Sequence, residues 1–188
     1  MTKSAVSEKD TTSAVLREVR PFLYLEPARL PLANVPVDAV GLSRLDASVS
    51  PSIPQLVRSL VDFTIALQNR RALESGNVQP IQLSVLNRRR RAARSWLLAI
   101  VSGKTDAATR HAVATQWVPV LTGTGPELAR ATASGRSLIE FVRGAITACV
   151  FDEPKENLLD HAKALHVLES TLAAHLAGVL EVTRAAKK

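Results

Sequence analysis

The spacing of apolar residues changes near residue 54. From Pro54 onward, apolar side chains recur at intervals of three and four residues, the period of a helix with one buried face. Breaks in this pattern predict helices from Pro54 to Gly76, from about Pro80 to Val101, from near Thr105 to around Pro119 and the Gly123–Gly125 turn, from Pro126 to the break at 151–154, and from there to near the C-terminus. The pattern therefore predicts an all-α helical bundle of about five helices.

The first part of the chain has a different pattern. Residues 11–20 can form a short helix that ends before Pro21, whereas residues 21–54 contain six prolines, too many for one regular element. The apolar residues of this stretch indicate that it packs on the helical core or on a second subunit. We therefore predict an N-terminal arm at 1–53, with a short helix and a Pro-rich irregular wrap, and a helical bundle domain at 54–188.

The helix that begins at Pro126 has a sustained apolar seam. Leu128, Gly135, Val142 and Cys149 lie seven residues apart, with further apolar residues between them. Glycine lowers helix propensity by roughly 1 kcal/mol relative to alanine. Gly135 is therefore explained either by the close approach of another helix or by a slight kink, and both explanations stay open.

The final predicted helix carries a stripe of leucines along one side. At 1.5 Å per residue its roughly 30 residues would span about 45 Å, and a globule of 188 residues is barely that wide. We therefore expect part of the stripe to meet a second copy of the chain. The predicted homodimer interface consists of Leu165, Leu168, Leu172 and Leu176.

Composition restricts the class of protein. Hydrophobic residues make up 46% of the chain, typical of a globular protein, while aromatic residues are only 4%, which is few for a haem or flavin site. The single cysteine cannot form an internal disulfide. The N-terminus lacks the apolar core of a signal peptide, and no uninterrupted apolar run reaches the ~18 residues of a membrane span. We expect a soluble, cytoplasmic protein with no membrane partner.

Few residues have the spacing of a reactive site. The four histidines, His111, His161, His166 and His175, are never three or four residues apart, the spacing at which two imidazoles bind one metal on a helix. We expect all four to be ordinary surface or boundary residues, with a cofactor-binding role for His111 or His166 as the alternative. Cys149 is interpreted as a small buried hydrophobe, and a redox role is its alternative.

Known catalytic and phosphate-binding motifs are missing from the sequence. The segment TGTGPE, which ends at Glu127, opens a helix but lacks the lysine and the spacing of a P-loop. No GxSxG, HExxH or CxxC motif is present, and the carboxylates are scattered. We therefore predict a protein that is not an enzyme and that binds no cofactor and no metal.

The excess positive charge is concentrated in the middle of the chain. The net charge is +7, and residues 51–125 carry ten basic side chains against three acidic ones. The densest part is NRRRRAARSW, residues 87–96, which runs into an apolar string. The predicted interaction surface consists of Arg88, Arg89, Arg90, Arg91 and Arg94.

A helical wheel separates these arginines from the core. The side that contains Leu86, Ala93 and Trp96 is the buried face, and Arg88, Arg91 and Arg94 point away from it. Arg89 and Arg90 fall at the two edges of the apolar stripe, where they need to snorkel or to meet acidic partners.

These arginines predict an anionic partner, and the alternative is that they are only the solvated side of a helix and bind no partner. An acidic protein, or a second copy of the chain, fits a regulatory or scaffold module that acts through protein–protein contacts. The alternative is a small basic DNA-binding protein that contacts phosphates through the Arg88–Arg94 cluster. It would not read base sequence, because Trp96 belongs to the core face and no other aromatic residue lies among the arginines to stack on bases.

The C-terminal half also resembles a known family. The segment that begins SWLLAIVSGKTDAATRHAVATQW, with the later LHVLESTLAAHL, resembles the N-terminal sensor modules of bacterial stressosome-type regulators over roughly residues 90–180. A short turn at Ser102, Gly103 and Lys104 corresponds to the "SGD"-like turn of those modules. The resemblance implies a haem-free, globin-like helical module that dimerises through its last helices and passes a signal to other proteins.

Overall fold

The structure is a computed structural model that describes residues 38–76, 80–122, 128–152 and 158–185. All of these residues belong to the compact unit Asn34–Lys188. Helices account for 91% of the described residues, and none of those residues lies in a strand. The predicted all-α class is confirmed. The short helix predicted at 11–20 and the turn predicted at 123–127 lie outside the described residues.

The helices follow one another with short connections. In chain order they are α1 (Ala39–Val49), a 3₁₀ turn (Ser50–Ser52), α2 (Ile53–Ser75), α3 (Leu83–Val101), α4 (Ala107–Ala112), a π turn (Val113–Trp117), α5 (Val118–Thr122), α6 (Leu128–Phe151) and α7 (Leu158–Ala185). α7 is the central helix, packed against α1, α4, the π turn and α6, while α2 packs against α3. The bundle is therefore arranged around its last helix.

Helix α1 lies within the segment that the sequence assigns to the irregular N-terminal arm. The irregular wrap predicted up to Pro54 is wrong for residues 39–49, which form a helix packed on α7 and α6. The Asp38 carboxylate caps this helix by accepting a hydrogen bond from the backbone N–H of Val40 at 2.9 Å. Leu45 and Val49 are fully buried. No proline lies between Pro36 and Pro51, so the bundle begins well before residue 54.

The segment after α3 begins slightly later than predicted and passes through Pro119. Asp106, not Thr105, is the N-cap of α4, and hydrogen bonds from the Thr109 hydroxyl and backbone N–H lower the pKa of the Asp106 carboxyl. The helical path passes through Pro119 and continues to Thr122, beside the Gly123–Gly125 turn that the sequence predicts. Proline lacks the N–H of a normal helical turn and its ring clashes with the carbonyl four residues earlier. A π turn, Val113–Trp117, ends two residues before Pro119 and interrupts the regular α-helical hydrogen bonding on its N-terminal side.

The predicted core faces are largely confirmed. On α3, Ala93, Trp96, Leu97 and Ile100 are buried, as the wheel predicts. On α6, Gly135 is also buried, and a Cβ at this position would lie 3.4 Å from Val118 Cγ1 and 3.5 Å from Val179 Cγ1. These are ordinary van der Waals distances, so the packing does not require glycine at this position, and α6 runs unbroken from Leu128 to Phe151.

The predicted dimer leucines do not form one exposed stripe. Leu168 and Leu172 are fully buried within a single chain, while Leu165 and Leu176 are half-buried against the same core. The assignment of Leu168 and Leu172 to a dimer interface is wrong for this fold, because helices of the same chain cover them. An amphipathic stripe indicates which face is buried, but it does not distinguish an intrachain partner from a second subunit.

Two glycines bring helix backbones into direct contact with α7. A Cβ on Gly41 of α1 would lie 2.6 Å from the Lys163 carbonyl oxygen, which is closer than real Cβ contacts allow. A Cβ on Gly178 of α7 would lie 3.0 Å from the Arg110 carbonyl oxygen of α4. Both interfaces therefore depend on the missing side chain of glycine.

We expect Gly41→Ala to destabilise the bundle, because the new methyl group forces α1 away from the backbone of α7. The expected loss is about 1–3 kcal/mol in the free energy of unfolding, measured by urea denaturation. Gly144→Ala is the matched control, since Gly144 is an exposed helical residue with nothing within 4 Å of an added Cβ. The control should gain up to ~1 kcal/mol from helix propensity. Equal effects of the two variants would contradict the close contact at Gly41.

Candidate functional site

The arginine run of α3 divides into two groups. Arg88, Arg90, Arg91 and Arg94 are exposed, as an interaction surface requires. Arg89 is only 3% exposed and does not belong to that surface. Its assignment to the interaction surface is therefore corrected. The wheel placed Arg89 at the edge of the apolar stripe, and the packing of α2 against α3 covers this edge.

Arg89 connects the two helices through neutral groups. Its guanidinium donates hydrogen bonds to Thr64 Oγ1 at 3.4 Å and to Gln68 Oε1, both on α2. Burial, together with the positive charge of Arg88, lowers the pKa of the Arg89 guanidinium. Thr64 and Gln68 bear no charge, so these bonds replace water without neutralising the guanidinium. Arg89 therefore fixes the pairing of α2 with α3.

Three of the exposed arginines line a groove between the N-terminal part of α2 and the middle and C-terminal part of α3. The groove has a volume of about 720 Å³ and is open to solvent. Arg90, Arg91 and Arg94 contribute its α3 side, and Arg58 of α2 adds a fourth guanidinium. The remaining lining residues are mainly apolar: Ser50, Ile53, Pro54, Val57 and Leu98. We call this feature the arginine groove. Arg88 is exposed but does not line it.

The arginine groove carries uncompensated positive charge. Within the part of the chain that the structure describes, none of its four arginines forms an ion pair or a side-chain hydrogen bond. Asp62, one turn beyond Arg58 on α2, is exposed and is not paired with them. Arg143 on α6 is the opposite case, because it is paired with Glu140 and, at 2.9 Å, with Glu169. The arginine groove is therefore open to an anionic partner.

The sequence prediction missed the groove itself. The arginine run is evident in the sequence, but Arg58 lies in another helix and is isolated there. Only the pairing of α2 with α3 brings Arg58 and the run to one surface. Leu98 was assigned to the apolar string after the run, yet it is 43% exposed and lines the groove.

The histidines differ from their prediction. His111 and His166 are exposed, but His161 and His175 are buried. The surface or boundary assignment is therefore wrong for His161 and His175, because both face into the bundle from α7. Cys149 is half-buried on the apolar seam. Among the described residues, no group of three or more His, Cys, Asp or Glu side chains could hold a metal ion.

His175 joins three parts of the bundle. Its Nδ1 accepts a hydrogen bond from the indole N–H of Trp96 at 3.2 Å, and its Nε2 lies 2.8 Å from the carbonyl oxygen of Lys104. An indole nitrogen can only donate and a carbonyl can only accept, so His175 is neutral with its proton on Nε2. Burial lowers the pKa of His175, although the Lys104 carbonyl and the charge of Asp106 oppose this shift. Its role is structural.

One described helix, α7, is long and apolar enough to cross a membrane by length and composition alone, and many of its side chains are buried inside the bundle.

Comparison of the chain with protein families, curated proteins and solved structures finds no match. The resemblance to stressosome-type sensor modules therefore stays a prediction.

We expect acid to destabilise the fold through His175. Because the folded state lowers the pKa of His175 below its ordinary value of about 6.5, the unfolded chain binds the proton more readily. The contribution of neutral His175 is complete above the unfolded pKa, and it is lost as the pH falls from there toward the folded pKa. Urea unfolding of the wild type at several pH values should therefore show a free energy of unfolding that declines below about pH 6.5.

His175→Gln removes this titration and should flatten the decline, although it should also lower stability at neutral pH by disturbing the contacts with Trp96 and Lys104. His166→Gln is the control, since His166 is exposed on the same helix. It should keep the wild-type pH dependence. If His175→Gln retained the full decline, His175 would not be its source.

Proposed function

We propose that this chain is a regulatory or scaffold module that acts through protein–protein contacts, and that the arginine groove binds an acidic segment of its partner. The observation that carries the proposal is a set of four guanidinium groups around an apolar floor, none of which is paired with another described residue. A binding surface needs anchors that are not already engaged within the chain. Arginine is the side chain best suited to hold carboxylates in defined geometry.

The apolar floor favours a protein partner over a nucleic acid. A duplex presents phosphates and sugars to such a surface and has little apolar area to place against Ile53, Val57 and Leu98. None of the described residues that line the groove is aromatic, so these residues offer single-stranded bases no ring to stack on. An acidic protein segment has both carboxylates and apolar side chains.

The test compares binding of two labelled probes, a poly-glutamate peptide and a duplex DNA of arbitrary sequence, by fluorescence anisotropy. At about 0.15 M salt, wild type should bind poly-glutamate and should bind the duplex only weakly. The triple variant Arg90→Glu, Arg91→Glu, Arg94→Glu should weaken poly-glutamate binding by at least about tenfold, since three attractions become repulsions. Its melting temperature should be nearly unchanged, because exposed charges contribute little to stability.

The matched control makes the same change in charge outside the groove. Arg88→Glu, Arg136→Glu, Arg184→Glu alters three exposed arginines that do not line it. This control should keep most of the wild-type affinity. Equal losses in the two triple variants would show that net charge, not the groove, determines binding. Tight, steeply salt-dependent binding of any duplex, lost in the groove variant, would identify a DNA-binding protein instead.

Homodimerisation remains part of the proposal, but a different part of the leucine stripe supports it. Leu158 and Leu159, in the first turn of α7, are 68% and 64% exposed. Phe151 at the end of α6 is also exposed, and its ring stacks on His161, one turn further along α7. These side chains offer an apolar surface that another copy can cover.

Light scattering at micromolar concentration should then give twice the 20.2 kDa of one chain. Leu158→Glu, Leu159→Glu should give a folded monomer, because both residues are exposed. Leu172→Glu should instead unfold the chain, because it buries a charge in the core. A wild-type protein that stays monomeric at high concentration would rule out the dimer.

A further inference from the structure

The two ends of the arginine groove differ in chemistry. Arg89, early in α3, contacts Thr64 and Gln68, late in α2, while Leu98, late in α3, lines the groove with Ile53 at the start of α2. The two helices are therefore antiparallel. This arrangement places Leu98 at the end of the groove with Ile53 and Pro54, and it places the arginines of α3 toward Arg58.

The spacing of the arginines at the basic end of the groove matches the spacing of acidic residues on a helix. Arg90, Arg94 and Leu98 lie four residues apart on α3, so they form one row about 12 Å long. Acidic residues at i and i+4 of another helix are separated by the same distance as Arg90 and Arg94. Four guanidinium groups exceed what the single carboxylate of a small amphiphile can pair with. The charge therefore favours a partner with several carboxylates along one face.

We propose that the arginine groove binds a helix of a partner protein whose groove-facing side is apolar at one end and acidic at the other. The apolar end lies against Ile53, Pro54 and Leu98, and the acidic end lies among Arg58, Arg90, Arg91 and Arg94. This inference rests on the proposed function and specifies its ligand. The helix packs along the groove between α2 and α3, in the way that a third helix packs on a pair. Apolar contact supplies a salt-independent part of the affinity, and ion pairing fixes the direction of the helix.

The experiment uses two labelled peptides of identical composition and about four helical turns. The segregated peptide has leucines in one terminal turn and glutamates on the same face of the following turns. The alternated peptide distributes the same leucines and glutamates over all faces. Wild type should bind the segregated peptide at least about tenfold more tightly than the alternated one, and added salt should weaken it less.

Leu98→Ser tests the apolar end of the groove. Leu98 is 43% exposed, so the variant should fold, and it should weaken binding of the segregated peptide by about five- to tenfold. Leu73→Ser is the matched control, because Leu73 lies on α2 outside the groove and is 73% exposed. It should bind the peptide as wild type does. Poly-glutamate should bind Leu98→Ser and wild type alike, since it has no apolar end.

The direction of the helix is tested by disulfide cross-linking. In a Cys149→Ala background, a Leu98→Cys variant should cross-link to a segregated peptide that carries a cysteine at its leucine end. A peptide with the cysteine at its glutamate end should cross-link much less. The opposite preference would overturn the proposed direction.

The outcomes separate this inference from the proposed function. In one outcome, poly-glutamate and both peptides bind wild type with equal affinity, bind the groove triple variant more weakly, and bind Leu98→Ser as they bind wild type. The acidic site then stands, and the proposed helix with an apolar end is overturned. If poly-glutamate and the peptides fail to bind while duplex DNA binds, both proposals are overturned. If laurate binds in a Leu98-dependent manner and the segregated peptide does not, the ligand is a small amphiphile and the helix is again overturned.

Discussion

The hydrogen bonds of His175 hold α3 in its place in the bundle. Trp96 is fully buried on α3, and its indole N–H needs an acceptor where water is excluded. The imidazole of α7 provides it and donates in turn to the Lys104 carbonyl in the turn after α3. The middle and the end of α3 are thereby fixed to the central helix. Because α3 carries most of the arginine groove, the geometry of that surface depends on a neutral histidine in the core.

The sequence predicts best where one helix face decides the outcome. On α3, the buried positions Ala93 and Trp96 and the exposed positions Arg91 and Arg94 follow from the wheel alone, and Gly76 and Gly103 mark the ends of α2 and α3 with positive φ angles. Prediction fails where the outcome depends on a second helix. The partner of each apolar face is not encoded locally, so Leu172 was assigned to a dimer, and His175 was assigned to the surface.

The pattern of hydrophobic positions also does not predict two features of the backbone, helix α1 and the π turn before Pro119. The six prolines of residues 21–54 predict an irregular segment and so hide helix α1, although Asp38 has the identity and position of an N-cap. The sequence indicates a helix end around Pro119 and the Gly123–Gly125 turn, but the hydrophobic pattern does not predict the π turn at Val113–Trp117. For the candidate site, the charge was evident in the sequence, but Arg89 had to be removed from it and Arg58 added to it. Both corrections follow from the pairing of α2 with α3.

The glycine contacts of α7 also have a mechanical meaning. Its Lys163 carbonyl lies against Gly41 of α1, and about 22 Å further along, at 1.5 Å per residue, Gly178 lies against the Arg110 carbonyl of α4. At both points backbone meets backbone, with no flexible side chain between them to absorb a displacement. Sliding or rotation of α7 past either neighbour would drive main-chain atoms together. Because packed interiors have low compressibility, a displacement of α1 or α4 toward α7 meets main-chain atoms directly and not side chains that can change rotamer.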